Sequence, residues 1–344
     1  MQSSAPIRKA AQVLKRLTAV LIAVASPTAG ANGLAQEDVQ RIIEAVVGVE
    51  ARVPADARSV ESLGQRRTGT GMVIDGNGLV LTVGYLILEA AEVSVYGLDG
   101  KALPAAVVGY DHETGFGLVR TALPIDVKPL ALGRSSDVAV GDTVLAIARI
   151  GPSPLMPQMV VDRRDFAGNW EYLLENALFT SPPVSGFGGA ALIGVDGTLL
   201  GVGSLFVQDA MAGHAPLPGN MFIPIDLLKP ILADLLTDGR RSGPAQPWLG
   251  LYTGEAAGRV VVARVVAGGP AEAAGMKPGD IIMGVGGKSV RDMVDFMRKV
   301  RTYGKAGDDI PIDVMSSDTP DMTIGRRIIH SRDRHDWLRL KRGL

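Results

Sequence analysis

Residues 69–82 read GTGMVIDGNGLVLT, two short apolar runs separated by Asp-Gly-Asn-Gly. Glycine adopts positive φ angles without steric cost, so such a run is typical of the tight turn of a β-hairpin. Asp-Gly pairs at residues 99–100 and 196–197 also lie between apolar runs. Repeated hairpins with little helical periodicity predict an antiparallel barrel or sandwich over about residues 69–225.

Helical patterns bracket this β-rich region at about residues 37–47 and 225–236. Residues 238–247 (DGRRSGPAQP) have no periodicity and are rich in glycine, proline and charge, which predicts a linker. Beyond the linker we expect a small α+β unit, with a helix that begins at a capping box formed by Ser289 and Asp292. The other elements of this unit are predicted as strands at 260–266, 281–285 and 310–315 and a short helix at 270–274.

Composition excludes several classes of site. The 344 residues carry a formal net charge of −1 and include no cysteine. The charge balance gives no indication of a nucleic-acid partner, and the absence of thiols excludes disulfides, thiolate zinc clusters and a cysteine nucleophile. We therefore expect no metal and no small-molecule cofactor. Any histidine-dependent chemistry must use one of four residues: His112, His214, His330 and His335.

The N-terminus has the pattern of a secretory signal. Basic residues precede the apolar run 17–25, and small residues follow it, with possible cleavage after Ala31 or Ala35. The apolar run is too short to span a bilayer of ~30 Å. We therefore expect residues 1–35 to be a signal peptide and the mature protein to be soluble in the periplasm or otherwise exported.

The C-terminal unit resembles PDZ domains of the HtrA type. Residues 248–251 (WLGL) match their carboxylate-binding loop, and residues 269–282 (GPAEAAGMKPGDII) match their G-S-P-A-x-x-A-G and K-P-G-D-x-I motifs. The resemblance implies a PDZ domain at residues 248–325 that binds the C-termini of peptides or unfolded proteins. The peptide would add as a strand, with its carboxylate held by backbone N–H groups. The residues expected to contact it are Trp248, Leu249, Gly250, Leu251, Tyr252, Met293, Phe296 and Met297. For the last three, burial in the domain core is the alternative.

Residues 36–237 resemble the protease domain of the same family. The matching motifs are residues 69–82, Val108-Gly109-Tyr110-Asp111, Leu132-Gly133-Arg134-Ser135-Ser136 and Gly188-Gly189-Ala190-Ala191-Leu192. The fold that the resemblance implies is mainly β, a chymotrypsin-like double β-barrel followed by the PDZ domain. It also implies a homo-oligomer, a trimer in this family, or a hetero-oligomer with an active relative.

The three catalytic positions of this family carry other side chains. In the family's motifs the general base aligns with Tyr85, the orienting carboxylate with Gly115, and the nucleophile with Phe187. A phenol with a pKa near ~10 cannot replace imidazole at neutral pH, and the other two positions offer no carboxylate and no nucleophile. We expect Tyr85 and Phe187 to lie together and to fill the former cleft.

Two functions are compatible with the sequence. The first is a pseudoprotease that uses its PDZ domain as a scaffold, adaptor or chaperone-like regulator in envelope protein quality control. The alternative is an active HtrA-type serine endopeptidase with a rebuilt site, which would use Ser185 with His112 or His214. The basic tail at residues 326–344 is predicted as a solvated segment or a short cap on the PDZ domain, with an anionic surface as the alternative contact.

Overall fold

The computed structural model describes residues 34–151, 155–316 and 323–340. The predicted signal peptide therefore lies outside the described residues except for its last two positions. Within the described ranges, no helix combines the length and the apolarity needed to cross a membrane.

The first β-barrel has six antiparallel strands and is closed, in the order β1-β2-β3-β6-β5-β4. The hairpin predicted at residues 69–82 is confirmed: Met72 pairs with Leu81, and Asp75 accepts the backbone N–H groups of Asn77 and Leu79 in the turn. The elements in chain order are α1 (Gln36–Ala45), β1 (Val46–Arg52), α2 (Val60–Leu63), β2 (Arg66–Val73), β3 (Leu79–Val83), α3 (Gly84–Ile87), β4 (Glu92–Tyr96), β5 (Ala102–Tyr110) and β6 (Phe116–Thr121).

The second barrel repeats this design, in the order β10-β11-β12-β9-β8-β7. Its longest hairpin is β8–β9, whose turn consists of residues 169–171. Side chains of both barrels form one continuous apolar core that includes Leu81, Phe116, Phe179 and Ile223. The strands are β7 (Thr143–Ile147), β8 (Leu155–Gly168), β9 (Tyr172–Ser181), β10 (Ala191–Ile193), β11 (Leu199–Val207) and β12 (Gly219–Pro224).

The two predicted bracketing helices are shorter than the sequence pattern suggested. The first ends at Ala45 because the β-branched run beginning at Val46 continues as β1. The prediction of one helix over residues 225–236 is wrong. Pro230 cannot donate a backbone hydrogen bond and disfavours helical angles in the residue before it. A 3₁₀ turn (Ile225–Leu227) and α4 (Leu232–Asp238) replace the single helix.

The C-terminal domain is a six-stranded antiparallel sheet with one long helix. The main path runs β13-β14-β15-β17-β18, and β16 pairs with β15. The predicted capping box is wrong, because Ser289 belongs to β16 and Asp292 alone caps the helix by accepting the N–H of Asp295 at 2.7 Å. The elements are β13 (Leu251–Ala256), β14 (Arg259–Val265), α5 (Pro270–Ala273), β15 (Ile281–Val285), β16 (Lys288–Ser289), α6 (Met293–Tyr303), β17 (Asp309–Met315), β18 (Ile324–His330) and α7 (Arg334–Trp337).

Of the two predictions for residues 326–344, a solvated tail or a short cap on the PDZ domain, the described part excludes the solvated tail. A strand runs through that boundary, since β18 pairs along its length with β17. After α7, the chain returns to the first barrel, where the N–H of Arg339 donates to Glu89 at 2.7 Å. Trp337 packs between Trp248, with ring centroids 5.1 Å apart, and Arg58, whose guanidinium lies 3.6 Å from the indole. The described part of this segment therefore joins the two domains; residues 341–344 lie outside the described chain.

Candidate functional site

The structure brings the three predicted catalytic positions together. Tyr85, Gly115 and Phe187 line one cavity of about 450 Å³ between the barrels and the C-terminal domain. Several aromatic side chains contribute to the rest of the wall, including Trp170 and Tyr172 from the β8–β9 hairpin. Tyr85 and Phe187, which are about 100 positions apart in sequence, therefore line the same cavity.

Tyr85 lies in the first turn of α3, directly after β3. Its hydroxyl donates to the backbone carbonyl of Ser204 at 2.9 Å and lies close to the backbone of Gly188. Burial raises the pKa of Tyr85 well above its ordinary value, so the phenol stays protonated at neutral pH. The side chain at this position can therefore hold a hydrogen bond but cannot accept a proton from a nucleophile.

Gly115 sits in a tight turn before β6, with a φ angle of +86°. Its N–H donates to the carbonyl of Asp111 at 2.7 Å. The space that a side chain would need is taken by Tyr172, whose hydroxyl donates to the carbonyl of Thr114 at 2.6 Å. A Cβ atom on Gly115 would lie 3.2 Å from that hydroxyl oxygen. The space beside Gly115 is thus occupied by the phenol of Tyr172 from the second barrel.

Phe187 is held by a backbone turn before β10. The N–H of Ala190 donates to the Phe187 carbonyl at 2.9 Å, and the neighbouring Gly189 N–H donates to Gly203 at 2.8 Å. The ring is half-buried and packs against the apolar cluster of the second barrel that contains Val184 and Leu192. The Phe187 side chain therefore contacts this cluster and also forms part of the cavity wall.

The expectation that Tyr85 and Phe187 fill the cleft is therefore wrong. The two side chains share its wall, but a cavity of about 450 Å³ remains between them and the C-terminal domain. The reason is that Tyr85 is bound to Ser204 and Phe187 packs into its own barrel, while Gly115 contributes no side chain.

A rebuilt serine–histidine pair has no support in the geometry. Ser185 is exposed, and no hydrogen bond joins it to any of the four histidines, all of which lie in the described ranges. His112 instead packs against Tyr110 and His335, with ring centroids 6.2 and 5.0 Å away. Burial, assisted by the charge of Arg334, lowers the pKa of His112 to about 3. His214 is exposed in a loop of the second barrel.

The predicted carboxylate-binding loop holds a carboxylate from the chain itself. The backbone N–H groups of Leu249, Gly250 and Leu251 donate to the Glu171 side chain at 2.8, 2.6 and 2.7 Å. Withdrawal from solvent raises the pKa of Glu171, while these three N–H groups act in the opposite direction. Gly250 has a φ angle of +81°, which aims its N–H at the carboxylate.

The other predicted peptide contacts divide into two groups. Trp248 and Tyr252 line the surface cavity beside the loop, although the N–H of Trp248 donates to Arg332 and does not face the carboxylate. Met293, Phe296 and Met297 are buried in the core of the C-terminal domain, which favours the alternative that we gave for them. Leu173 of the β8–β9 hairpin is part of the same cluster, so this face of α6 is already covered.

No sequence signal marks the residues that connect the two domains. Glu171, Arg334, Trp337 and Arg339 match no family motif and follow no periodicity. Arg334 lines three cavities at the interface and donates to the carbonyl of Trp170 at 3.3 Å. Across the described ranges, no group of three acidic or histidine side chains is arranged to hold a metal ion.

Comparison with known proteins identifies both domains. Residues 69–202 match the trypsin-like peptidase domain family, and residues 261–312 match the PDZ domain family. The serine endoprotease DegS of Salmonella typhimurium is 26% identical over 295 residues, which cover 81% of this chain and 82% of DegS. Serine protease HTRA1 of Xenopus tropicalis is 26% identical over 318 residues, which cover 80% of this chain and 65% of HTRA1.

Solved structures give the same fold. The HtrA-type protease AlgW with tripeptide superposes with a TM-score of 0.52 at 21% identity, covering 88% of this chain and 97% of AlgW. The serine endoprotease from Yersinia pestis superposes with a TM-score of 0.51 at 23% identity, covering 90% of this chain and 99% of that structure. The mainly β, chymotrypsin-like prediction with a following PDZ domain is thereby confirmed. The chain has a trypsin-like peptidase domain followed by a PDZ domain, and its relatives include serine proteases of the HtrA type.

Proposed function

We propose that the chain is an exported pseudoprotease that binds the C-termini of peptides or unfolded proteins through its PDZ domain. In this role it acts as a scaffold, adaptor or chaperone-like regulator in envelope protein quality control. The observation that carries the proposal is the loop at residues 249–251, where three backbone N–H groups converge on one carboxylate. The terminal carboxylate of a peptide offers the same two acceptor oxygens.

The chemistry at the three former catalytic positions supports the absence of hydrolysis. Tyr85 is a half-buried phenol that stays protonated, Gly115 has no side chain, and Phe187 has no nucleophilic atom. In a Ser-His-Asp enzyme, loss of the nucleophile or the base alone lowers kcat by about 10⁶-fold. The three replacements together leave no group to form an acyl-enzyme.

Hydrolysis is tested by incubating the protein with casein and a fluorogenic peptide, together with a fluorophosphonate probe. We expect no turnover above the rate of the buffer and no labelling, because Ser185 has no histidine partner. Steady turnover, or a probe adduct mapped to Ser185, would contradict the pseudoprotease assignment and restore the endopeptidase alternative.

Peptide binding is tested with a free-acid peptide and its C-terminal amide over a concentration series. The variant Gly250→Val places a side chain at a φ of +81° in the loop, with the Cβ 3.2 Å from Pro270. We expect it to weaken free-acid binding by about tenfold or more. Gly258→Val is the matched control, because Gly258 has a φ of +69° in the same domain but nothing lies within 4 Å of the position that its Cβ would take. Equal binding of the free-acid peptide by both variants would contradict a role of this loop in holding the peptide carboxylate.

Export and assembly complete the proposal. Residues 1–35 have the charge and apolar pattern of a cleaved signal, and HtrA-type relatives suggest an oligomer, either of this chain or with an active relative. Fractionation of cells expressing the tagged full chain tests export. Mass determination of the mature N-terminus distinguishes cleavage after Ala31 from cleavage after Ala35. Sedimentation of the purified mature protein tests the expected trimer.

A further inference from the structure

The turn of the β8–β9 hairpin lies in the groove where a peptide would bind. The Glu171 carboxylate fills the carboxylate loop, and the carbonyl of Asn169 accepts the N–H of Thr253 in β13 at 2.9 Å. Thr253 is two residues after Leu251, and Asn169 is two residues before Glu171. The turn therefore follows β13 with the spacing of an added strand, and its carboxylate lies at the end of that strand.

The contacts of the hairpin extend beyond this turn. Asp165 in β8 forms an ion pair with Arg298 on α6, and Leu173 in β9 is buried among apolar side chains of the PDZ domain. The hairpin thus touches β13, the carboxylate loop and α6, the three parts of a PDZ domain that form the peptide groove. A peptide cannot enter this groove while the hairpin stays in place.

Backbone geometry indicates that the turn is shaped for this contact. Glu171 has a φ angle of +60°, in the left-handed region that L-residues with a Cβ rarely adopt. Such a conformation persists only where the surroundings compensate for it. Here the three N–H donors of the loop provide that compensation, since they are hydrogen-bonded to the carboxylate of the same residue.

We propose that residues 169–171 are an internal ligand of the PDZ domain, and that a peptide with a free C-terminal carboxylate binds by displacing them. The proposal rests on the proposed function and adds its regulation. The apparent affinity for a C-terminus equals the affinity of the free groove multiplied by the fraction of molecules whose groove is free of the hairpin. An internal competitor acts at a high effective concentration, so only an abundant or tightly bound C-terminus opens the groove.

The experiment compares the wild type with Glu171→Ala and Glu171→Gln. Glu175→Gln is the matched control, since Glu175 is exposed on the same hairpin and its charge acts on Arg301 of α6, whereas the N–H groups of the loop are bound to Glu171. Amide hydrogen exchange at residues 249–251 reports occupancy of the loop without any added ligand. Fluorescence anisotropy with a labelled free-acid peptide and its C-terminal amide reports binding.

We expect slow exchange at these amides in the wild type and in Glu175→Gln, and exchange at least about tenfold faster in both Glu171 variants. We also expect the free-acid peptide to bind the Glu171 variants at least about tenfold more tightly than the wild type. If the free acid binds the wild type and Glu171→Ala equally, or if exchange is unchanged, the internal ligand is refuted while the proposed function stands. If no variant prefers the free acid over the amide, the proposed function itself fails, and displacement fails with it.

Discussion

Replacement of Gly115 by alanine tests whether the former carboxylate position has been rebuilt around Tyr172. Two costs follow from the structure. An alanine at a φ of +86° is strained by about 1–2 kcal/mol. Its Cβ would also lie 3.2 Å from the Tyr172 hydroxyl and would displace the bond to Thr114, worth about 1 kcal/mol. We therefore expect Gly115→Ala to lower the free energy of unfolding by about 2–3 kcal/mol.

The control is Gly100→Ala in the same barrel. Gly100 has a φ of +73° but nothing lies within 4 Å of a Cβ there, so this variant isolates the backbone strain. Urea unfolding gives the free energy of unfolding of both variants. We expect Gly115→Ala to lower it by about 1 kcal/mol more than Gly100→Ala does, which is the value of the displaced hydrogen bond. In the Tyr172→Phe background this excess should vanish. Equal destabilisation by the two alanines in the wild-type background would refute the reasoning.

Three further predictions concern the cavity and the domain contact. Tyr85→Phe removes the donor to Ser204 and should cost about 1 kcal/mol in urea unfolding; no change would show that this bond contributes nothing. Trp337→Ala removes a ring packed between Trp248 and Arg58 and should lower the free energy of unfolding by about 2 kcal/mol, with faster proteolysis at residues 239–247. An unchanged cleavage pattern would show that Trp337 does not hold the two domains together. His112 has its pKa lowered to about 3 in the folded state, so the unfolded chain takes up the proton first as the pH falls below about 6.5. Stability should therefore fall between about pH 6.5 and 3, by up to about 1.4 kcal/mol per pH unit, and this slope should be shallower in His112→Asn; parallel pH profiles would contradict the assignment.

The two-domain fold could be predicted because its signals are local. The turn at residues 75–78 and the motif at residues 269–282 depend on glycine, proline and short apolar runs that act within a few positions. The alignment of Tyr85, Gly115 and Phe187 with the family's catalytic positions depends on local motifs of the same kind, since each residue stands in an otherwise readable motif. The structure brings these three positions to one cavity.

Contacts between domains could not be predicted in this way. Glu171 reads as an ordinary polar turn residue, and its meaning depends on a loop about 80 positions later in the chain. The segment after residue 325 reads as a basic tail because its charges dominate the composition, but pairing of β18 with β17 and packing of Trp337 decide its position. Neither interaction leaves a periodic pattern.

The same limit explains the unfilled cleft. Burial of two aromatic rings is favourable on its own, and no local pattern in the sequence separates them. In the structure, each ring has another partner: Ser204 accepts the hydroxyl of Tyr85, and the second barrel covers Phe187.

The central claim is that this chain binds a peptide C-terminus and does not cleave the peptide. The most direct test offers an equimolar mixture of a free-acid peptide and its C-terminal amide to the Glu171→Ala protein, followed by long incubation and mass determination of the bound fraction. We predict that the bound peptide is the free acid at its full mass. A bound fraction with equal amounts of acid and amide, or one that contains cleavage products, would contradict the account.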